Sequence, residues 1–322
     1  MIHKAIANPN IALIKYWGKV DEQLNLPATA SISMTLDIFP TTTTVEINED
    51  LNQDQVTLNG AMASEHFTGA VTKFLDLVRT RAGVQGSAIV QTHNSVPTAA
   101  GLASSASGFA ALALAASKAY GLELNPSELS ALARRGSGSA SRSIFPGYAL
   151  WNLGQDDTSF ARPLPEPQLE LALVIVVLNA REKKISSRTA MNLTRDTSPF
   201  YDSWLESSKR DLEEFQTAFE GNDFTTVGQI VDRNALRMHA TSLGANPPVR
   251  YLNSESFAVL DYLEELRNQG LAGYPTMDAG PNIKVLCKSE QRFELQRTLT
   301  ERFEHANVYT CRPGLGARYE SY

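Results

Sequence analysis

Residues 97–108, Pro-Thr-Ala-Ala-Gly-Leu-Ala-Ser-Ser-Ala-Ser-Gly, place small side chains and hydroxyls between a predicted strand and a predicted helix. Upstream, Ser87–Thr92 has the composition of a short strand, and downstream Phe109–Tyr120 has that of a buried, alanine-rich helix. The first turn of a helix carries unpaired backbone N–H groups and the positive end of the helix dipole, and small side chains let an anion approach them. The stretch therefore predicts a phosphate-binding loop.

The hydroxyls of Ser104, Ser105 and Ser107 add possible contacts to phosphate or to its metal ion. The loop lacks the Gly-Lys-Ser/Thr ending of a Walker A motif and the spaced glycines of a dinucleotide fingerprint. Runs of Ala, Ser and Gly also occur where helices pack tightly. The loop alone leaves both interpretations open, and other segments must decide.

Composition limits the class of protein. A chain of 322 residues with 43% hydrophobic content can bury a large core and favours two lobes. Its 29 basic and 35 acidic residues include no basic run, which argues against a nucleic-acid surface. The N-terminus has no long apolar segment, and the run Leu169–Leu178 is too short to cross a bilayer, so we expect no membrane association. Cys287 and Cys311 lack zinc-site spacing, which favours a reducing, cytoplasmic location.

The order of predicted elements indicates mixed α and β structure. The first part of the chain is strand-rich, and Leu171–Leu178 predicts a central strand buried on both faces. The remaining strands are predicted at 5–14, 31–37, 42–47, 56–58, 283–287 and 306–311. Apolar residues at helical spacing predict helices at 67–81, 107–120, 126–134, 198–220, 223–238, 254–269 and 289–303, the last of which completes a strand–helix–strand pattern near the end of the chain. We place the division between an N-terminal lobe, 1–183, and a C-terminal lobe, 184–322, shortly after the buried strand.

Four further segments carry charges and hydroxyls that core packing does not require. They are Asn10–Lys19, Arg134–Ser143, Lys183–Arg188 and Met277–Asn282. The first three offer lysines, arginines and serines that suit carboxylates and phosphates, and the fourth sets Asp278 in a tight turn. Each alone could be a solvated surface or an ordinary turn. Together they predict a phosphoryl-transfer site, in which positioning and charge neutralisation supply most of the catalysis.

These segments resemble the mevalonate diphosphate decarboxylase family, which belongs to the GHMP kinase superfamily. The resemblance extends in order over nearly the whole chain, in the segments Asn10–Lys19, Pro97–Ser107, Arg135–Arg142, Arg237–Thr241 and Met277–Asn282. It implies an α+β GHMP kinase fold, with an N-terminal lobe like ribosomal protein S5, a ferredoxin-like C-terminal lobe and a cleft between them. It also implies a homodimer.

The resemblance further implies a reaction. ATP would phosphorylate the tertiary 3-hydroxyl of (R)-5-diphosphomevalonate, and loss of phosphate and carbon dioxide would give isopentenyl diphosphate. Asp278 would orient or deprotonate the 3-hydroxyl, and Arg142 with Asn10 would hold the substrate carboxylate. The diphosphate would be surrounded by Tyr16, Lys19, Ser137, Ser139, Ser141, Ser187 and Arg188, with Lys183 and Lys15 as further candidates.

For ATP, the resemblance implies contacts with the loop at the start of the predicted helix, together with Mg²⁺. The residues that would bind the phosphates are Gly101, Leu102, Ala103, Ser104, Ser105, Ala106 and Ser107, with Ser105 also a metal ligand. Thr29 departs from the family, which usually has asparagine at or beside that position. We assign His239 and Trp17, Trp151 and Trp204 to structural roles.

Two other interpretations stay open. A related GHMP kinase, or a decarboxylase of a less phosphorylated mevalonate, would use a similar site. A non-catalytic, ligand-sensing protein would keep the fold without the chemistry. Asp278 argues against the sensor, which needs no base, and the repeated basic segments favour a diphosphate over an uncharged substrate.

Overall fold

Three β-sheets, a short hairpin and the surrounding helices make up the fold of residues 1–95, 104–178 and 185–320, which the computed structural model describes. The strands in these residues are β1 (Ile2–Ala7), β2 (Asn10–Ile14), β3 (Lys19–Asp21), β4 (Leu26–Pro27), β5 (Ser31–Thr35), β6 (Thr41–Asn48), β7 (Gln55–Leu58), β8 (Ala61–Met62), β9 (Ser87–Asn94), β10 (Tyr148–Trp151), β11 (Ala161–Pro163), β12 (Leu171–Val177), β13 (Gly273–Met277), β14 (Ile283–Lys288), β15 (Asn307–Cys311) and β16 (Arg318–Tyr319). The helices are α1 (Glu65–Ala82), α2 (Ser104–Ala119), α3 (Pro126–Gly136), α4 (Ala140–Ser143), α5 (Ser187–Thr197), α6 (Tyr201–Glu220), α7 (Phe224–Leu243), α8 (Ser254–Asn268) and α9 (Arg292–Arg302), with a 3-10 turn at Ser289–Gln291.

The sheets mix sequence-near and sequence-distant strands. The six-stranded sheet has the order β16-β1-β6-β9-β7-β8, and within it only β7 and β9 run parallel among the described strands. A second, antiparallel sheet has the order β11-β10-β5-β2, and a third has the order β13-β14-β12-β15. The chain therefore returns with β16 to the sheet in which it began.

Local sequence explains where several helices begin and end. Asn125 caps α3 by accepting from the N–H of Glu128, whose side chain accepts from the N–H of Asn125, and Pro126 fixes the first turn. Helix α2 is rich in alanine, and its fully buried face packs closely against β1 and β6. This packing fixes the N-terminus of α2, which is where the phosphate-binding loop was predicted.

A second core joins the middle sheet to the C-terminal part. Ile11 and Met34 pack in one cluster with Leu173 of β12, Phe215 of α6 and Val227 of α7. Strand β12 is buried along its whole length and lies between β14 and β15, which confirms the prediction of a central strand. The predicted lobe boundary at 183/184 falls outside the described residues and stays a prediction.

One predicted strand is wrong in extent. The range 5–14 contains two strands in different sheets, because β1 pairs with β6 and β2 pairs with β5. Pro9, which lies between them, has no N–H to continue a ladder. Sequence reasoning also did not find α4, α5 or β13. In the described ranges, no helix is long and apolar enough to span a membrane.

Candidate active site

A cavity of about 340 Å³ lies where four separated segments meet. The residues after β2, the α3–α4 connection, the first turn of α5 and the β13–β14 turn all contribute to its wall. The lining residues are Asn10, Ala12, Lys15, Tyr16, Trp17, Lys19, Asn25, Ser105, Phe109, Gly136, Ser137, Gly138, Ser139, Arg142, Ser187, Arg188, Met191, Met238, Asp278 and Ala279. All four charged or hydroxyl-rich segments identified in the sequence thus reach one space.

Most of the predicted site residues line this cavity, and some do not. Ser141 is buried and donates its hydroxyl to the carbonyl of Gly138 at 2.7 Å, so it supports the loop rather than the cavity wall. Ser107 and Ala106 are also fully buried, and the Ser107 hydroxyl lies 2.7 Å from that of Thr41. The predicted contacts at Gly101, Leu102, Ala103 and Lys183 lie outside the described residues.

Asp278 lies in the turn between β13 and β14 and carries two ion pairs. Its Oδ1 is 2.7 Å from Lys15 Nζ, and its Oδ2 is 3.3 Å from Lys284 Nζ. Although burial alone would raise it, the charges of Lys15 and Lys284 hold the pKa of Asp278 well below its usual range. The carboxylate is therefore ionised, and its side chain is 26% exposed at the cavity wall.

The sequence analysis did not predict that Lys15 and Lys284 form ion pairs with Asp278. Lys15 follows the wholly buried strand β2, and burial lowers its pKa to about 8 despite the opposing effect of Asp278. Lys284 interrupts the apolar strand β14 and is 1% exposed. A lysine inside a predicted buried strand requires a partner. A lysine in a predicted buried strand was therefore a sequence signal for an ion pair, but it does not identify the acidic residue that forms the pair.

Arg142 is a buried cation without a carboxylate partner among the described residues. Its guanidinium donates to the Ser31 hydroxyl at 2.6 Å and to Asn10 Oδ1 at 3.3 and 3.4 Å, and it lies over the ring of Trp151. Burial lowers its pKa to about 10. A guanidinium held this way at a cavity wall favours binding of an anion.

Lys19 is likewise buried beside the cavity. Its Nζ donates to Asn25 Oδ1 at 2.6 Å, and the amide of Asn25 donates to the carbonyls of Arg134 and Arg135 at 3.1 and 2.9 Å. Burial, followed by the charge of Arg188, lowers the pKa of Lys19 to about 8. Asn25 fixes Lys19 but adds no charge, so the ammonium is not neutralised by that contact. Sequence reasoning did not find Asn25.

The aromatic part of the wall depends on a glycine. The hydroxyl of Tyr16 is buried without a hydrogen-bond partner in the described part of the chain, and its ring meets Trp151 edge-on at 4.7 Å. A Cβ on Gly138 would lie 2.8 Å from the Tyr16 hydroxyl and 2.9 Å from Trp151, so only glycine fits there without displacement. Tyr16 thus lines the cavity with a hydroxyl that makes no hydrogen bond to the described residues.

The residues assigned to structural roles are buried, although Trp17 also lines the cavity. They are Trp17, Trp151, Trp204 and His239. Burial lowers the pKa of His239 to about 4, although a hydrogen bond with the backbone of Met277 opposes this shift. Thr29 is buried, and its hydroxyl has no partner in the described ranges.

A second pocket of about 310 Å³ adjoins the start of α2 and shares Ser105 and Phe109 with the first. Most of its wall is apolar or carries threonine hydroxyls. The lining residues are Thr41, Thr43, Leu58, His66, Phe67, Ala70, Val71, Val90, Thr92, Asn94, Ser104, Ser105, Gly108, Phe109 and Leu112. Such a pocket, next to a helix N-terminus with exposed serines, suits a flat apolar group attached to phosphates.

Comparison with known proteins agrees with this geometry. Models of a diphosphomevalonate decarboxylase-like N-terminal domain and of a mevalonate 5-diphosphate decarboxylase C-terminal domain match residues 7–161 and 173–314. Diphosphomevalonate decarboxylase from Candida albicans is 35% identical over 314 residues, which cover 92% of this chain and 87% of the relative. The chain belongs to the diphosphomevalonate decarboxylase family.

Solved structures extend the family relationship to the fold. Mevalonate diphosphate decarboxylase from Staphylococcus aureus is 45% identical, with a TM-score of 0.96 over 100% of this chain and 99% of that one. A second structure, a complex with MVAPP, AMPPCP and magnesium, is also 45% identical, with a TM-score of 0.95 over the same shares. The predicted family and its α+β GHMP kinase fold are confirmed.

Proposed function

We propose that the protein catalyses the ATP-dependent decarboxylation of (R)-5-diphosphomevalonate to isopentenyl diphosphate, ADP, phosphate and carbon dioxide. The observation that carries the proposal is the charge arrangement of the cavity. Asp278 is already neutralised by Lys15 and Lys284, whereas Lys19 and Arg142 reach the same space with no carboxylate among the described residues within ion-pair distance. A substrate with both a diphosphate and a carboxylate matches this excess of positive charge.

Different residues bind the two anionic ends of the substrate, the carboxylate and the diphosphate. Arg142 holds the carboxylate, and Asn10 orients the guanidinium, because Asn10 Oδ1 accepts from the Arg142 guanidinium while its Nδ2 donates to Ser139 and Ser143. The diphosphate lies against Lys19 and the N-terminus of α5, where Ser187 and Arg188 line the cavity. Hydroxyl-bearing residues that line the same cavity complete this contact: Tyr16, Ser137 and Ser139.

Asp278 orients the 3-hydroxyl. Its low pKa makes it a weak base toward an alcohol, so it accepts a hydrogen bond first and receives the proton only as the new P–O bond forms. In that step the hydroxyl oxygen attacks the γ-phosphorus of ATP, and the bond to ADP breaks. Lys15 and Lys284 fix both carboxylate oxygens and keep the acceptor in place.

Phosphorylation provides a leaving group. A tertiary hydroxide leaves poorly, whereas phosphate departs with the electron pair of the C–O bond. The bond between the carboxylate carbon and C2 then breaks, its electron pair forms the C2–C3 double bond, and carbon dioxide leaves. Arg142 holds the carboxylate in line until that bond breaks, and the ammonium of Lys15, which lines the same cavity, stabilises negative charge on the departing phosphate.

ATP fits the region at the start of α2. The second pocket accepts the base, and Ser104 and Ser105 are exposed in the first turn of the helix, toward the phosphates. The described residues offer no group of three acidic, histidine or cysteine side chains, so Mg²⁺ would be held mainly by phosphate oxygens and water, with the Ser105 hydroxyl as the predicted protein ligand. Bound there, Mg²⁺ would neutralise charge on the transferring phosphoryl group.

A homodimer and a cytoplasmic location are part of the proposal. The dimer rests on the family resemblance. Both cysteines, Cys287 and Cys311, are free and buried, which supports a reducing compartment.

The proposal is tested by mixing the protein with ATP, Mg²⁺ and (R)-5-diphosphomevalonate and measuring ADP and carbon dioxide together. Equal yields are expected, with no comparable turnover of mevalonate or 5-phosphomevalonate in matched reactions. ADP without carbon dioxide would identify a kinase, and preference for a less phosphorylated substrate would identify a related decarboxylase. Absence of turnover would favour a ligand-sensing protein.

Lys19 gives the activity a distinct alkaline limit. Only the protonated lysine attracts the diphosphate, so kcat/KM should fall as pH rises through its pKa of about 8, and Lys15 titrates in the same range. With both protons required, log kcat/KM should approach a slope of about two per pH unit well above that range. In Lys19→Arg the slope should fall to about one, because arginine stays charged.

The matched control for this profile is Lys209→Arg, at an exposed position on α6. It should keep the steeper slope. A slope of about two in Lys19→Arg would remove Lys19 from diphosphate binding.

A further inference from the structure

A buried chain of hydrogen bonds connects the helix pair α6–α7 to the backbone of Lys15. The N–H of Lys15 donates to Asn234 Oδ1 at 2.8 Å, and Asn234 Nδ2 donates to Asp211 Oδ2 at 3.0 Å. Asn234 and Asp211 are both fully buried. Neither residue lines the cavity, and the proposed reaction does not yet use either of them.

The amide of Asn234 can take only one orientation in this chain. Oδ1 of Asp211 accepts from Arg233 Nε and from an Arg237 guanidinium nitrogen, each at 2.8 Å, so the carboxyl group acts as the acceptor throughout this network. The NH₂ group of Asn234 must then face Asp211, which aims its carbonyl oxygen at Lys15. Asp211 thus ensures that the backbone N–H of Lys15 meets the carbonyl oxygen of Asn234 and not its NH₂ group.

Lys15 needs this external acceptor because the sheet supplies none. The pairing of β2 with β5 ends at Ile14, so the N–H of Lys15 lies one residue beyond the ladder. Its side chain turns back to the carbonyl of Ala12 at 2.9 Å and forward to Asp278 at 2.7 Å. A shift of the Lys15 backbone would move the ammonium away from Asp278.

We propose that Asn234 and Asp211 are positioning residues, which fix the backbone of Lys15 so that its ammonium holds Asp278 in place for the reaction. The inference rests on the proposed function. It differs from a purely structural role for the network, in which loss of Asn234 would weaken the fold without a specific effect on Lys15.

A double-mutant cycle separates these two roles. Asn234→Leu should lower kcat by about 10- to 100-fold, because small misplacements of a reacting arrangement are costly. In a Lys15→Met background, the same substitution should have little further effect on kcat, since the residue it positions is gone. Equal losses in both backgrounds would overturn the proposal. Ser242→Ala is the matched control: it also removes a buried hydrogen bond from α7, and it should leave kcat within about twofold.

Crystal structures of the same variants test the geometry without turnover. In Asn234→Leu the Lys15–Asp278 separation should exceed ion-pair distance, whereas in Ser242→Ala it should match the 2.7 Å contact. An intact contact in Asn234→Leu would overturn the positioning role. If the unaltered protein does not release carbon dioxide, the proposed function fails, and the separation still decides whether Asn234 positions Lys15.

Discussion

Asp278→Ala is expected to reduce turnover by roughly 1,000-fold or more while leaving binding of diphosphomevalonate within a few-fold. The carboxylate orients the 3-hydroxyl, but it makes no contact that the diphosphate or the substrate carboxylate needs. The loss should therefore appear in kcat, with a much smaller effect on the dissociation constant of the substrate. Single-turnover measurement of ADP formation and calorimetric titration of the substrate check the two parts separately.

Asp278→Ala should also lower the stability of the folded protein, and this loss must be distinguished from the loss of catalysis. Lys15 and Lys284 are each 1% exposed, and without Asp278 they lose their shared counter-charge. Removing one partner of a buried ion pair typically costs about 3–5 kcal/mol, and here the cost is reduced as Lys15, whose pKa is already about 8, releases its proton. The melting temperature should fall.

Asp54→Asn is the control for that cost. Asp54 forms a buried ion pair with Arg79 away from the cavity, so its loss should also lower the melting temperature. Turnover of the folded fraction should stay near normal in Asp54→Asn and be lost in Asp278→Asn, which keeps the shape of the side chain. Near-normal turnover in Asp278→Asn would exclude Asp278 from the mechanism.

Local chemistry made much of the site predictable. A cation cannot stay buried without a reason, and hydroxyls between arginines have no packing role, so the segments around Lys19, Arg142 and Asp278 stood out in the sequence. The buried strand β12 was equally clear, because its seven residues are all apolar. These signals depend on residue type alone and need no knowledge of distant contacts.

What sequence reasoning did not find depends on long-range geometry. Nothing local shows that Lys284 and Lys15, 269 positions apart, converge on one carboxylate. Nor does the serine spacing between Arg135 and Arg142 show that the Ser141 hydroxyl turns inward to Gly138. Such outcomes are decided when sheets pack on one another, which the sequence pattern describes only by class.

Arg142→Met is expected to lower kcat/KM by roughly 100- to 1,000-fold without the loss of stability expected at Asp278. Two effects on folding oppose each other. The substitution leaves Ser31 and Asn10 without a donor. It also removes a buried charge that is not neutralised. Because the pKa of Arg142 in the folded protein is lowered to about 10, below its unfolded value, the charged guanidinium destabilises the folded protein fully at any pH below about 10. The melting temperature should therefore change little.

Arg142→Lys tests whether charge alone is sufficient. Lysine cannot offer two parallel donors to a carboxylate while also contacting Asn10, so most of the loss in kcat/KM should persist. Diphosphomevalonate should raise the melting temperature of the unaltered protein by mass action, and it should raise that of Arg142→Met much less.

The comparison that decides the assignment is with Arg79→Met. Arg79 is also largely buried, but it is paired with Asp54, so the same change of side chain there leaves a buried carboxylate alone and should be strongly destabilising. If Arg142 awaits the substrate's carboxylate, the two methionine variants must differ in opposite senses: Arg79→Met loses stability, whereas Arg142→Met loses activity. Equal losses of stability would mean that the charge of Arg142 is already neutralised within the folded chain, and the case for it as the carboxylate-binding residue would fail.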